Sequence, residues 1–348
     1  MKKSIFLTLL LLIITNINAN ENFVYDDYLR HKAKKNGLVP IPGNTRKLLK
    51  IIKLEPTTKN KYKATVGQKL FFDPRLSKSG LISCNTCHNI ALGGVDGIPV
   101  AIGDNWKKNP HDLNSPTVLN AVLNEKQFWD GRSKTLEEQA SGPIQASPEM
   151  AASPEHVKNL VNSIPYYLKT FRKINNDMNY IPTIKDVAEA IAIYEKTLIT
   201  PSPYDMFLER GLGALFKEEQ KGLNLFIDKG CVTCHNGINL GGGMAMFPVV
   251  NKYKYASGDF KGNKNGLVKV PTLRNIDKTA PYFHNGKVWT LREAINIMAD
   301  TQLGIELTKE EVVLIERFLK SLSGEIRKKE FINEELPIRT EKTELPKI

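Results

Sequence analysis

All four cysteines of the 348-residue chain fall in two copies of one pattern, Cys84-Asn85-Thr86-Cys87-His88 and Cys231-Val232-Thr233-Cys234-His235. No thiol is left over for a disulfide framework outside them. The chain has only six histidines, so a His directly behind the second Cys in both copies is not a coincidence of composition. A zinc site uses Cys-x-x-Cys pairs without needing that His, and a redox-active disulfide would need one copy rather than two. Two thiols separated by two residues can reach both vinyl groups of one haem from a single turn. The next residue then sets an imidazole under the iron. The pattern predicts two covalently attached haem c groups. One is held by Cys84 and Cys87 with His88 as proximal ligand, the other by Cys231 and Cys234 with His235.

The N-terminus reads as an export signal: Lys2 and Lys3, an aliphatic run from Ile5 to Ile14, then Asn18-Ala19 as a small-residue end. That run is shorter than the roughly 20 apolar residues a bilayer span needs. The expectation is a periplasmic protein cleaved near Ala19. The net charge of +12 is concentrated in Arg30 to Lys35, Arg46 to Lys63 and Arg327 to Lys347. No nucleic-acid-binding motif accompanies it, and export removes that partner, so nucleic acid is excluded. A basic surface suits solvation or the landing of an acidic redox protein.

Helical signals repeat in each half. Thr65 to Phe72 is a short amphipathic segment leading to Cys84. Thr183 to Asp186 forms a capping box before a helix that aligns Val187, Ile191, Tyr194 and Leu198, stopped by Pro201 and Pro203. Glu218 to Asp228 leads into Cys231. Thr308 to Glu311 caps a helix aligning Val312, Ile315, Leu319 and Leu322. The order of helix, haem motif, loops and closing helix is thus written twice. It predicts a mainly α fold of two cytochrome c-like domains packed about a shared interface. The division is 1–19 signal, 20–203 first domain, 204–326 second domain and 327–348 charged tail. Gly241-Gly242-Gly243 is followed by no Gly-Lys-Ser/Thr and reads as a flexible turn.

What fills the sixth iron position separates electron transfer from catalysis. For the second haem the candidates are Met244, Met246 and Met298, the last on a capped helix at inward spacing from Leu291, Ala294 and Ile295. Further motifs then fix a resemblance. Ala91 to Asp96, Asn114 to Thr117, Gln127 to Arg132, Gly142 to Gln145 with Glu149-Met150, Val270 to Asn275 and Thr279 to Gly286 resemble the bacterial dihaem cytochrome c peroxidase family, from about Thr65 to Leu322.

The resemblance implies a set of roles. Met298 is the axial ligand of a high-potential, electron-accepting haem. Glu149 is the acid/base carboxylate over the peroxidatic haem, with Gln139 its neighbouring amide, and Trp129 lies between the haems. Asn114 with the carbonyls of Thr279 and Pro281 forms a calcium site. It further implies hydrogen peroxide as substrate, a small periplasmic donor (a cytochrome c or a cupredoxin) and a homodimer. A carboxylate near the iron can move the proton that O–O cleavage requires.

One departure stands out. Many members cap the resting peroxidatic haem with a His about sixteen residues after the proximal one, and here that count from His88 reaches Asp104. The expectation is an uncapped first haem, with His111 as the rival cap and His31 and His156 more remote. Two other functions are weighed. A protein-modifying oxidase of the related MauG type has Tyr at the place of Met298. A plain dihaem carrier would need neither Glu149 nor Gln139.

Overall fold

The computed structural model describes residues 24–211, 213–247, 250–252, 255, 262–326 and 335–346. The signal reading at 1–19 lies outside them. The architecture is mainly helical: α1 (24–35), α2 (Thr45–Ile51), α3 (Thr58–Phe72), α4 (Cys84–Cys87), α5 (Leu136–Gln145), α6 (Pro154–Ser163), α7 (Pro165–Asn175), α8 (Ile184–Glu195), α9 (Pro203–Arg210), α10 (Lys217–Asp228), α11 (Leu291–Met298) and α12 (Lys309–Lys320). Strands β1 (Met244–Met246) and β2 (Leu267–Lys269) pair antiparallel.

Two apolar cores organise the chain. The first is built on α3, α5, α6, α7 and α8, from Val66 to Leu198; the second on α9, α10, α11 and α12, from Tyr204 to Leu322. The predicted inward residues Val187, Ile191, Tyr194 and Leu198 are buried, as are Val312, Ile315, Leu319 and Leu322. The capping boxes at Thr183 with Asp186 and at Thr308 with Glu311 are formed. Each core is pinned by one close helix crossing. A Cβ at Gly67 of α3 would lie 1.9 Å from the Ala190 carbonyl oxygen of α8. A Cβ at Gly222 of α10 would lie 2.0 Å from that of Leu314 on α12. Only glycine lets two helix backbones meet so closely.

The structure departs from the sequence division at both ends. Helix α1, counted with the first domain, sends Leu29 and Ala33 into the second core. In the tail, Lys69 Nζ donates to the Glu335 carbonyl, Arg75 to that of Pro337, and Thr340 Oγ1 to that of Ser163. The ends of the chain therefore strap each domain to the other's sequence. Helix α3 begins at Thr58, seven residues before the predicted segment, because Thr57 caps it by accepting from Asn60 N. Pro203 does more than stop α8: it opens α9, where its missing N–H costs nothing.

The glycine run corrects the flexible-turn reading. Gly242 N donates to Val270 O, and Gly242 O accepts from Glu125 N. A Cβ at Gly241 would sit 2.4 Å from Pro271 O, and one at Gly242 2.6 Å from Asn124 Oδ1. The run is a tight crossing between segments of the two halves, chosen for close backbone approach rather than mobility.

Candidate haem sites

Both motifs fold as one helical turn, for different local reasons. At the first, Ser83 caps α4, and its N–H is accepted by Thr86 Oγ1 at 3.0 Å. At the second, α10 ends on Gly230 in the left-handed region (φ 88°), which turns the chain straight into Cys231. Each turn closes through its His: His88 N donates to Cys84 O at 2.9 Å and His235 N to Cys231 O at 3.1 Å. No disulfide joins any of the four cysteines.

Each motif faces a cavity. The first, about 1400 Å³, is lined by Cys87, His88, Trp129, Gln139 and Glu149 among others, while Cys84 packs against the first core. The second, about 230 Å³, is lined by Cys231, Cys234, His235 and Met298, with Leu291, Ala294 and Ile295 beside it. Met246 also lines it but is largely exposed, and Met244 lies off its wall, its sulfur against Gly131. His235 Nδ1 faces the Leu240 carbonyl at 3.2 Å, which leaves Nε2 for a metal. His88 Nδ1 is buried with no hydrogen-bond partner among the described residues, and the ring lies near the backbone of Pro116 and Gly94. Burial holds both imidazoles below the usual histidine range, so they are neutral, the form that ligates iron. Paired thiols, a neutral imidazole and a cavity at each motif fit a haem c.

The distal side of the first cavity is set by α5 and the turn that follows it. Thr135 caps α5, which presents Gln139. Glu149 N then donates to Ala146 O and fixes the turn carrying Glu149. Glu149 is half-buried, and burial raises its carboxyl above the ordinary range although Arg132 and His111 pull the other way. Arg132 lies over the Phe128 ring, 3.3 Å from its centroid.

Asp104 sits beside this site without entering it. Its Oδ1 accepts from Ser79 N at 3.0 Å and its Oδ2 from Asn105 Nδ2 at 2.9 Å, and it is 1% exposed. It is absent from the cavity wall, whereas its neighbours Gly103 and Trp106 are part of it. Asp104 N donates to Glu149 O, and a Cβ at Gly103 would lie 2.1 Å from Pro148 O. The 103–104 segment is thus docked on the Glu149 turn. His111 is exposed and lines the cavity mouth. His31 is exposed on α1, while His156 Nε2 lies 2.9 Å from Arg75 O in a structural role.

Between the cavities stands one wall. Trp129, Lys269, His284 and residues Asn114 to Thr117 line both. Trp129 is 9% exposed, donates from Nε1 to Asn114 O at 2.9 Å and meets His284 edge-on at 6.2 Å. Asn114 joins the halves: its N–H donates to His284 O at 2.7 Å and its Nδ2 to Pro281 O at 2.8 Å. Thr279 and Pro281 both line the second cavity. Sequence reasoning missed Lys269, 3% exposed in this wall and pushed down to about 8 by burial. It also missed Glu195, at the end of α8. A lysine one position before Val270-Pro271 and a glutamate inside an apolar helix were the available signals.

Two cytochrome c-like domains, each with its haem motif on a cavity and a common aromatic wall between, define a dihaem c-type protein. Comparison with known proteins is specific. Residues 61–212 match the family model described as di-haem cytochrome c peroxidase, and residues 219–323 match cytochrome c. The cytochrome c551 peroxidase of Pseudomonas aeruginosa is 47% identical over 294 residues, covering 81% of this chain and 84% of the relative. That of Nitrosomonas europaea is 46% identical over 278 residues, covering 77% and 82%. A solved MauG-like protein associated with microbial copper homeostasis superposes with a TM-score of 0.68 at 25% identity, covering 78% of this chain and 92% of its own. The chain belongs to the di-haem cytochrome c peroxidase family.

Proposed function

We propose that this chain is a periplasmic peroxidase that reduces hydrogen peroxide to water with electrons from a small redox protein, a cytochrome c or a cupredoxin. The balance is H2O2 + 2 e⁻ + 2 H⁺ → 2 H2O. The observation that carries the reading is the first cavity. It holds a half-buried Glu149 and Gln139 beside His88, and it opens between exposed Trp106 and His111.

The haems, when bound, supply the electron storage and the iron that peroxide meets. The chain supplies the rest. Glu149 takes a proton from the near oxygen of peroxide and returns it to the far one, and its raised affinity for a proton suits both halves of that transfer. Gln139 orients peroxide by hydrogen bonding. Trp129 fills the wall between the sites and excludes water there. His88 and His235 would hold the two haem irons, and Met298 would be a further ligand at the electron-accepting site. Asn114, with the carbonyls of Thr279 and Pro281, holds calcium at the junction. The direct Asn114 to Pro281 bond supports the convergence of two of these donors. A homodimer is part of the reading by resemblance.

The first haem is proposed to lack a protein cap. In support, Asp104 spends both carboxylate oxygens on Ser79 and Asn105. The fully oxidised protein then gives a high-spin signal from the first haem and turns peroxide over with a reduced cytochrome donor without prior reduction. A purely low-spin oxidised spectrum overturns the open site and favours His111 as cap. Turnover no better than that of free haem overturns the peroxidase reading. The MauG-type alternative is disfavoured by Met298 on the second cavity wall, where that branch has Tyr.

A further inference from the structure

Glu195 takes no part in the scheme above, yet it is a buried carboxyl. It closes α8, next to the core residue Tyr194, is 5% exposed, and lines the first cavity. Its Oε2 is fully buried and no donor among the described residues reaches it. It lies close enough to the Cys84 sulfur to act on it electrostatically, which puts it beside the haem attachment turn.

Among the described residues, the groups around it give no compensating cation. From α5, Glu137 acts on it as a like charge, and Glu137 is itself paired with Lys196 at 2.9 Å. From α4 comes Cys84. Helix α3 contributes Lys63, but that side chain is paired with Glu189, nearly two turns earlier on α8. Beyond α3, Asp73 is held by Arg75 and by the Tyr167 hydroxyl. From α6, His156 faces Arg75 O and Glu344. Burial and Glu137 together push the Glu195 carboxyl up to about 8.

An unpartnered carboxyl on the wall of a haem cavity senses the charge of the macrocycle. A ferric haem core carries one more positive charge than a ferrous one and favours the carboxylate, while reduction favours the acid. We propose that Glu195 is a redox-linked proton site of the first haem, taking up one proton from solvent when that haem gains an electron and releasing it when the electron leaves. This rests on the reading of the first cavity as a haem site. The step balances as Fe(III) + Glu195-COO⁻ + e⁻ + H⁺ → Fe(II) + Glu195-COOH, the electron coming from the donor protein. Its effect is to bring a proton into the first domain together with an electron, next to a reaction that consumes both in equal number.

The test is a spectroelectrochemical titration of the first haem in the holoprotein, over two pH units on either side of about 8. In the wild type, a tenfold fall in proton activity should change the ferric/ferrous ratio up to tenfold at fixed potential, equal to about 59 mV per pH unit for a one-electron couple. Glu195→Gln should flatten that dependence while haem content and peroxide turnover at neutral pH persist. Glu137→Gln is the second variant, and serves if Glu195→Gln does not fold. Removing the like charge should move the same transition to lower pH. An unchanged slope in Glu195→Gln, or an unmoved transition in Glu137→Gln, overturns the proposal and assigns the proton to the propionates or Glu149. Absence of haem at Cys84 to His88 would instead sink the functional reading itself.

Discussion

The closest helix crossing of the second domain sets up a decisive substitution, Gly222→Ala. On helix propensity alone, alanine should stabilise α10 by about 1 kcal/mol. The crossing says otherwise. The added Cβ would meet Leu314 O at 2.0 Å, Leu314 C at 2.7 Å and Phe318 Cβ at 2.8 Å. Two of those atoms are backbone in the middle of α12 and cannot rotate away. Ordinary contact begins near 3.4 Å, so α10 and α12 must part by more than 1 Å at their crossing. Their interface holds Leu223, Phe226, Ile315, Phe318 and Leu319, all buried. A gap of that size forfeits a quarter to a half of the dispersion well for each facing pair. Overpacking of this kind costs typically 1–3 kcal/mol, and here the backbone clash puts the gross cost near the upper end. After the propensity gain, a net loss of about 2 kcal/mol is expected. Urea unfolding of the holoprotein, followed by far-UV circular dichroism, measures it. Gly222→Ala as stable as wild type would refute the argument that glycine is there for approach rather than by drift.

Four further outcomes follow from particular contacts. Asp205 and Arg274 form a buried bidentate pair at 2.8 and 2.9 Å, and Asp205 also accepts from Ile41 N, Ser202 N and Ser202 Oγ. Arg274→Met strands that carboxylate and should cost about 3–5 kcal/mol in urea unfolding. Glu149→Gln should lower kcat/KM for peroxide by about 10² to 10⁴. Because the Glu149 carboxyl is raised and its ionised form is the base, wild-type activity should fall with decreasing pH at values above the ordinary carboxylate range, a limb the variant lacks. Asp104→Ala leaves Ser79 N buried without an acceptor and should cost about 1–3 kcal/mol, while the oxidised haem spectrum stays as it was. Glu195 is protonated in the folded chain up to about 8, whereas the unfolded chain loses that proton near 4.5. The folded state therefore binds more protons between those values. Its stability should decline as pH rises across them, level off above about 8, and lose that slope in Glu195→Gln.

How much of this was legible in the residues depended on whether a feature is local. The haem motifs, the boxes at Thr183 and Thr308, and the inward face of Met298's helix are each spelled within a few positions, and the structure places them as read. The helix crossings were not legible, because Gly67 and Gly222 matter only through Ala190 and Leu314, more than 90 residues away in each case. The same reason hid the role of Gly241 to Gly243. A run of glycines reads as freedom unless one knows that Asn124 and Pro271 press on both sides. The chain ends misled for a related cause. Leu29 and Ala33 match either core equally well by hydropathy, and only their packing into the cluster that holds Tyr204 and Phe207 decides.

Asp104 shows the limit most clearly. Counting from His88 reached the right segment, and a carboxylate there reads as a poor substitute for an imidazole. In the fold it is no substitute at all, because its oxygens close a turn with Ser79 and Asn105 while its N–H holds the Glu149 carbonyl. A histidine could not accept from Ser79 N and donate toward the cavity from the same buried place. Asp104 is thus part of the scaffold that docks on the Glu149 turn. Asp104→His would keep the backbone N–H bond to Glu149 and give up both carboxylate bonds, so it should destabilise the turn with Ser79 and Asn105 in urea unfolding while the Glu149 turn stays in place.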